Sequence, residues 1–442
     1  MLRIDTGDTA FILMSAALVM LMTPGLAFFY GGMVRKQNVL STMMHSFIMI
    51  GMVSVLWVLY GYSLAFGPDN HGLIGNFDWA LFNGVGSEPN PDYAATIPHN
   101  VFAMFQLMFA IITTALISGA FAERIRFPFF MLFMVLWVTV IYFPVAHWVW
   151  GVGGWLRTLG ALDFAGGTVV HITSGVSGLV LAMLLGKRRG LGTIPMPPHH
   201  LPLTVLGAAL LWFGWFGFNA GSALGANGLA GSALVTTNTA AAAGVVGWVM
   251  VEWMRQGKAT LLGAASGAVA GLVAITPAAG FVTPGAAVVM GLISGPLCYM
   301  GVLMKHRLGY DDALDAFGIH GLGGTWGAIA TGIFATTAVN SAGADGLLYS
   351  GNVDLLIKQL IAVAASYAFA TAATIIIYYA VNGITKARAT AEEEYTGLDL
   401  TQHGEEAYAG FAVQGGSFGH TSLNSDPSGL PKMVTMPNQP HL

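Results

Sequence analysis

"ALDFAGGTVVHITSG" (residues 161–175) and "ALDAFGIHGLGG" (residues 313–324) share Ala-Leu-Asp, a phenylalanine and then a histidine. Each leads into a glycine-interrupted apolar stretch, the fifth and the tenth of the chain. Five crossings per half is an odd number, so the second half must run upside down relative to the first. That is an inverted-topology repeat, in which paired broken helices build a site near the bilayer midplane. The two stretches approach the membrane from opposite sides. For His171 and His320 to meet, "LDFAGG" and "LDAFG" must dip into the membrane before helix begins. Glycine permits such backbone, and it is tolerated where it lines a protein interior. The sequence thus predicts a His171–His320 pair on a pseudo-two-fold axis.

The composition places this repeat in a membrane. Of 442 residues, 55% are hydrophobic and 9% charged, against roughly a quarter charged in soluble domains. A span needs about 20 mostly apolar residues. Eleven stretches qualify, at 9–34, 40–66, 99–121, 127–150, 169–186, 201–224, 234–254, 260–281, 284–304, 318–336 and 355–384. Basic residues follow every odd-numbered stretch: Arg35 and Lys36, Arg124 and Arg126, Lys187 to Arg189, Arg255 and Lys258, Lys305 and Arg307, Lys386 and Arg388. The alternate loops hold only Arg3, Arg157 and Lys358. The positive-inside rule then sets the N-terminus outside and the tail inside. The fold class is an all-α polytopic membrane protein: eleven transmembrane helices, two inverted five-helix repeats and an eleventh helix. Scattered Lys and Arg and a net charge of −4 give no footprint for nucleic acid; the partner is the lipid bilayer.

The opening "MLRIDTGDTA" does not read as a signal peptide, because Asp5 and Asp8 spoil a positive n-region. Residues 67–98, with Pro, Gly, Asn and Asp, form an external loop. Cys298 acts as a small buried hydrophobe. Three regions follow: an eleven-helix transmembrane domain over 1–385, a charged cytoplasmic tail over 386–410 able to form a short helix, and a Gly/Ser/Pro/Asn-rich extension over 411–442 that reads as disordered.

Burial and the positive end of a helix N-terminus both favour neutral imidazole. The pair is therefore expected to be uncharged near pH 7, ready to accept one proton or to hydrogen-bond a small polar solute. The bland reading is a packing histidine in each helix. Two at repeat-related positions favour function, since intramembrane ionisable groups are rare and usually functional. Asp315 is expected to cap and fix its loop, with Asp311 and Asp312 beside it. Asp163 has two open readings, stabilising a nearby cation or ordering the dipping segment. Trp148 and Trp155 read as an interfacial belt, and His147 as structural.

The stretches "TPGLAFFYGGMV", "AERIRF", "ALDFAGGTVVH", "WFGFNAGSA", "DDALDAFGIHG" and "GLDLTQHGEEAY" together resemble the ammonium transporter (Amt) branch of the ammonium transporter/Rh family, from about residue 9 to 409. The resemblance implies nitrogen uptake at the cell (plasma or inner) membrane by a homotrimer with one pore per protomer. It implies no enzymatic activity, no cofactor and no metal, and methylammonium as an analogue of ammonium. By motif, Phe109, Trp150 and Ser222 match the family's external ammonium-recruitment site, with Asp163 beside it. Phe109 and Phe218 match its phenylalanine gate, and His171 and His320 its twin histidines. Phe105, Tyr142, Trp215, Asn219 and Thr276 match pore or vestibule residues. A PII-type signal protein is the implied partner at the cytoplasmic face, coupled through Lys386, Arg388 and Glu392 to Glu394. His200 stands where asparagine is expected.

These roles are chemically coherent. A bare cation entering low dielectric loses on the order of 20 kcal/mol of solvation, and an aromatic face returns about 2 kcal/mol. Recognition in a wet vestibule is feasible; passage of the intact ion is not. Losing a proton removes the conflict, and potassium has none to lose. Three other readings compete: a passive gas channel for ammonia or carbon dioxide, a sensor acting through the tail, and a metalloenzyme using His171, His320 and Asp163. The aromatic–serine constellation argues against the first, the short tail limits the second to a bound partner, and no HExxH-type spacing supports the third.

Overall fold

A computed structural model describes residues 3–408. The expected disorder of 411–442 falls outside the described residues. Helices occupy all eleven stretches: α1 (Thr6–Met33), α2 (Lys36–Phe66), α3 (His99–Phe121), α4 (127–150), α5 (Gly167–Leu185), α6 (Leu201–Ala220), α7 (Gly228–Gln256), α8 (Leu261–Ile275), α9 (Pro284–Leu308), α10 (317–334) and α11 (Asp354–Ile384). Nine of these, among the described residues, are long and apolar enough to cross a bilayer, and the protein is a multi-pass integral membrane protein. The other two are α8 and α10. At 15 residues α8 spans only about 22 Å. It stops at Ile275, two residues before Pro277, which carries no amide hydrogen to extend it.

The loops after α1, α3, α5 and α9 meet on one face through buried ions. Arg188 donates from Nε and its backbone N to Asp311 Oδ2 (2.9 and 2.8 Å) and from Nη2 to Oδ1 (2.9 Å), and its Nη1 reaches Glu123 Oε2 at 3.2 Å. Arg35 holds the same carboxylate, N to Oε1 at 2.7 Å and Nε to Oε2 at 3.0 Å. Burial pushes the Asp311 and Glu123 carboxyls up, but the guanidinium groups outweigh it and leave both below their ordinary values. The basic loops thus carry their own counter-charges.

The tail packs under this network. Backbone hydrogen bonds tie Arg126 N to Ala387 O and Ala389 N to Arg124 O. Arg388 binds Glu394 (Nε to Oε1, 2.6 Å) and the Leu185 carbonyl (3.0 Å). The expected short helix is α12 (Ala391–Thr396), opened by a capping box between Thr390 and Glu393. Beyond it, Asp399 Oδ1 accepts from Ser41 N at 2.7 Å, so the tail supplies the carboxylate that caps α2. His200 caps α6, its Nδ1 accepting from Leu203 N at 3.0 Å.

On the opposite face, Trp148 departs from the belt reading. It is buried, its Nε1 donates to Leu73 O at 2.7 Å, and it packs on Trp155 and Phe369. The 67–98 loop needs that donor to satisfy a carbonyl, which draws the indole inward. His147 is fully buried between Ala65 O (3.1 Å) and Asp69 Oδ1 (2.9 Å). Cys298 is buried with Sγ 3.7 Å from Ile319 O.

Candidate functional site

His171 lies in a wide i→i+5 turn, Gly167–Ile172, that opens α5, and His320 in its counterpart, Phe317–Gly321, that opens α10. Such turns gather at functional sites. The helices cross closely because glycine lines the contact: a Cβ on Gly175 would lie 2.3 Å from Gly321 N, and one on Gly324 2.9 Å from His171 Cβ. The rings are nearly parallel, with centroids 5.3 Å apart, an 18° tilt and Nδ1 atoms 3.2 Å apart. At that distance one Nδ1 must carry the hydrogen and the other accept it. Two neutral rings then have opposite tautomers, and their Nε2 atoms offer one donor and one acceptor. His171 Nε2 is buried without a protein partner. Trp215 stacks on His171 at 5.4 Å and 19°.

A carboxylate holds each histidine turn. Asp163 Oδ1 accepts from Gly166 N and Gly167 N (both 2.7 Å), and Oδ2 from Thr168 N (2.7 Å) and the Thr168 hydroxyl. Of its two readings, ordering the dipping segment is the one its hydrogen bonds express. In the second half the cap is Asp312, not Asp315: Oδ1 accepts from Ala316 N (3.0 Å) and Oδ2 from Phe317 N (2.8 Å). Asp315 instead binds the Lys305 ammonium. Its backbone has φ 63°, so the chain has turned away before the helix starts. Spacing carries the signal, since Asp163 and Asp312 each precede their histidine by eight residues. Burial and Asp315 push the Asp312 carboxyl up to about 6, against the pull of Lys305 and the two amides. Asp163→Ala should destabilise the protein by about 1–2 kcal/mol, the usual loss of an N-cap, and Asp163→Asn by less because one acceptor survives. Thermal unfolding of the detergent-solubilised protein checks the order.

Two cavities flank a pair of phenylalanines. The outer, about 240 Å³, is lined by Phe109, Trp150, Asp163 and Ser222, with Gln106, Arg157 and Phe164. Trp150 is pinned at both ends: its Nε1 donates to Asp163 O (2.9 Å), and its carbonyl accepts from Arg157 Nη1 (2.6 Å). Phe109 stands edge-on to it at 5.9 Å and 83°. The Ser222 hydroxyl donates to Phe218 O (2.8 Å), which leaves its oxygen lone pairs as acceptors. Phe109 packs on Phe218 with centroids 4.2 Å apart. Phe218 lines the inner cavity, which has room for about 10 Å³, close to the minimum for one water. Its walls are Met22, Leu26, Phe29, Ile112, Leu116 and other apolar side chains, together with His171, His320 and Trp215.

The remaining expected lining residues sit one layer back. Phe105 packs on Phe109 at 5.0 Å. Thr276 Oγ1 accepts from Trp215 Nε1 at 2.9 Å, fixing the indole that stacks on His171. Asn219 Nδ2 donates to Thr237 Oγ1 at 2.9 Å, and Tyr142 is buried. None of these four lines either cavity. Sequence reading missed Gln106 and Arg157 in the outer wall; helical spacing from Phe109 points to the first, and nothing local points to the second.

Comparison with known proteins agrees with this architecture. The family model described as Ammonium Transporter Family matches residues 10–408. An ammonium transporter of Bacillus subtilis (strain 168) is 62% identical over 403 residues, covering 91% of this chain and 98% of the relative. The crystal structure of Saccharomyces cerevisiae Mep2 superposes with TM-score 0.85 at 39% identity, covering 93% of each chain. A structure titled Sensor Amt Protein gives TM-score 0.82 at 30% identity, covering 90% of this chain and 98% of that one. The chain belongs to the ammonium transporter family.

Proposed function

We propose that the protein transports ammonium by recruiting the ion at the outer cavity, removing its proton and conducting ammonia past the histidine pair. The carrying observation is the sequence of environments: a polar-aromatic cavity, a closed Phe109–Phe218 stack, then a narrow apolar cavity whose polar groups are two imidazoles and an indole already bonded to Thr276. In the outer cavity the faces of Phe109 and Trp150 attract a cation, each worth about 2 kcal/mol when desolvated. The Ser222 oxygen accepts a hydrogen bond, and Asp163 lends negative charge from behind its backbone donors. The inner passage offers far too little to offset the lost solvation of a charge, so the ion sheds its proton, which is released at the outer cavity or moved by a separate route. Ammonia both donates and accepts, matching the two Nε2 atoms of opposite tautomers.

The finer architecture belongs to the same reading: eleven crossings with the N-terminus outside and the tail inside, and two inverted five-helix repeats. It is supported by the meeting of the basic loops on one face and by the matched aspartate caps of α5 and α10. The family resemblance adds a homotrimer with one pore per protomer, no catalysis and no cofactor, and a PII-type partner at the cytoplasmic face. A sensor is the second reading, favoured by the Sensor Amt neighbour and by a tail bonded to the start of α2, the loop after α3 and the end of α5.

Trp150→Leu and Ser222→Ala should each raise the apparent KM for ammonium and for methylammonium by about tenfold, the loss of roughly 1.4 kcal/mol. Concentration-dependent uptake into proteoliposomes measures this. Unchanged KM values in both variants would remove the outer cavity from the mechanism.

A further inference from the structure

One polar side chain that lines the outer cavity plays no part in the recruitment site described above. Gln106 lies on α3 four residues after Phe102 and three before Phe109, and all three line the cavity, as one stripe of a helix does. Four polar groups of the same cavity are already engaged. Asp163 is held by backbone donors, the Ser222 hydrogen by Phe218 O, the Trp150 N–H by Asp163 O, and the Tyr93 hydroxyl by Phe66 O. The Gln106 side-chain oxygen is buried and has no hydrogen-bond partner. An amide oxygen carries two lone pairs, and leaving it buried and unpaired is unfavourable. The terminal amide torsion of glutamine is broad and roughly two-fold, so the oxygen and nitrogen can exchange places on a residue that lines the cavity.

We propose that Gln106 is a ligand of the recruited cation and the residue that favours ammonium over methylammonium. The assignment rests on the outer cavity being the recruitment site. Ammonium has four N–H bonds. The Phe109 face, the Trp150 face and the Ser222 oxygen take three, and the Gln106 oxygen takes the fourth. Methylammonium has three N–H bonds, which those three partners satisfy, so its methyl group meets the amide oxygen. Gln106 thereby strengthens the binding of one ion and opposes the other.

The test is apparent KM for both ions in proteoliposomes of the full-length protein. Gln106→Leu should raise the ammonium KM by about tenfold while the methylammonium KM holds or falls, so that the preference between the ions collapses. Gln106→Glu keeps an acceptor and should retain the preference. If the leucine variant does not fold, Gln106→Met removes the acceptor at nearly the same volume and carries the same expectation. Equal changes in both KM values, or none, would overturn the assignment, because a packing lesion weakens the two ions alike. Ser222→Ala separates the two proposals. If it or Trp150→Leu raises KM and Gln106→Leu does not, only Gln106 is excluded; if none of the three does, the recruitment site falls and Gln106 with it.

Discussion

His171→Ala and His320→Ala each abolish ammonium-driven flux or let potassium through. The rings are the hydrogen-bonding groups of a passage otherwise walled by apolar side chains and an indole committed to Thr276. Removing one ring takes away a hydrogen-bond partner for ammonia and leaves the Nδ1 of its neighbour unpaired, since the two share one hydrogen at 3.2 Å. Without that partner ammonia crosses with a buried group unsatisfied, at about 1–3 kcal/mol, and the unpaired Nδ1 no longer fixes the remaining ring. The vacated space admits water instead, and a wetted passage no longer demands deprotonation. Flux and potassium permeability in proteoliposomes distinguish these outcomes. Normal selective flux in both variants would contradict the twin-histidine mechanism.

Arg188→Ala carries the largest expected loss of stability. The guanidinium is mostly buried and binds both Asp311 and Glu123, so its removal leaves two buried carboxylates short of counter-charge. Breaking a buried pair in this way costs about 3–5 kcal/mol. Arg188→Lys keeps the charge without the planar fork that serves Asp311 through two nitrogens, and should fall between. Thermal unfolding in detergent measures the order wild type, lysine, alanine. The same cluster sets an acid limit. Asp311 and Glu123 have folded values below their ordinary ones. Their contribution is therefore present above the unfolded carboxylate range near pH 4 and is lost as pH falls through the depressed folded values. The alanine variant should show a weaker dependence on pH below about 4.

The helices were legible because a bilayer demands long apolar runs, and all eleven stretches are helical. The histidine pair was legible from an echo of a few residues. The shortness of α8 was hidden because the apolar composition continues past Ile275 while the helix ends there, two residues before Pro277. Asp312 was hidden by aligning the repeats on Ala-Leu-Asp, which put Asp315 opposite Asp163; counting back from the histidines aligns the caps correctly. The loop network was invisible for a different reason. Arg188, Glu123 and Asp311 are far apart in sequence, and the positive-inside rule reads basic residues alone. Phe105, Asn219 and Thr276 match family motifs, yet a motif does not say whether a side chain lines a cavity or supports one that does.

Everything in the mechanism depends on deprotonation, and current recorded together with internal pH in proteoliposomes after a pulse of ammonium probes that step. Potassium at the same concentration is the control. A response to ammonium and to methylammonium and none to potassium is expected, with current and internal pH together reporting whether the proton follows the ammonia. A potassium current comparable to that of ammonium would mean that an intact cation crosses the apolar passage, and the deprotonation mechanism would then be wrong.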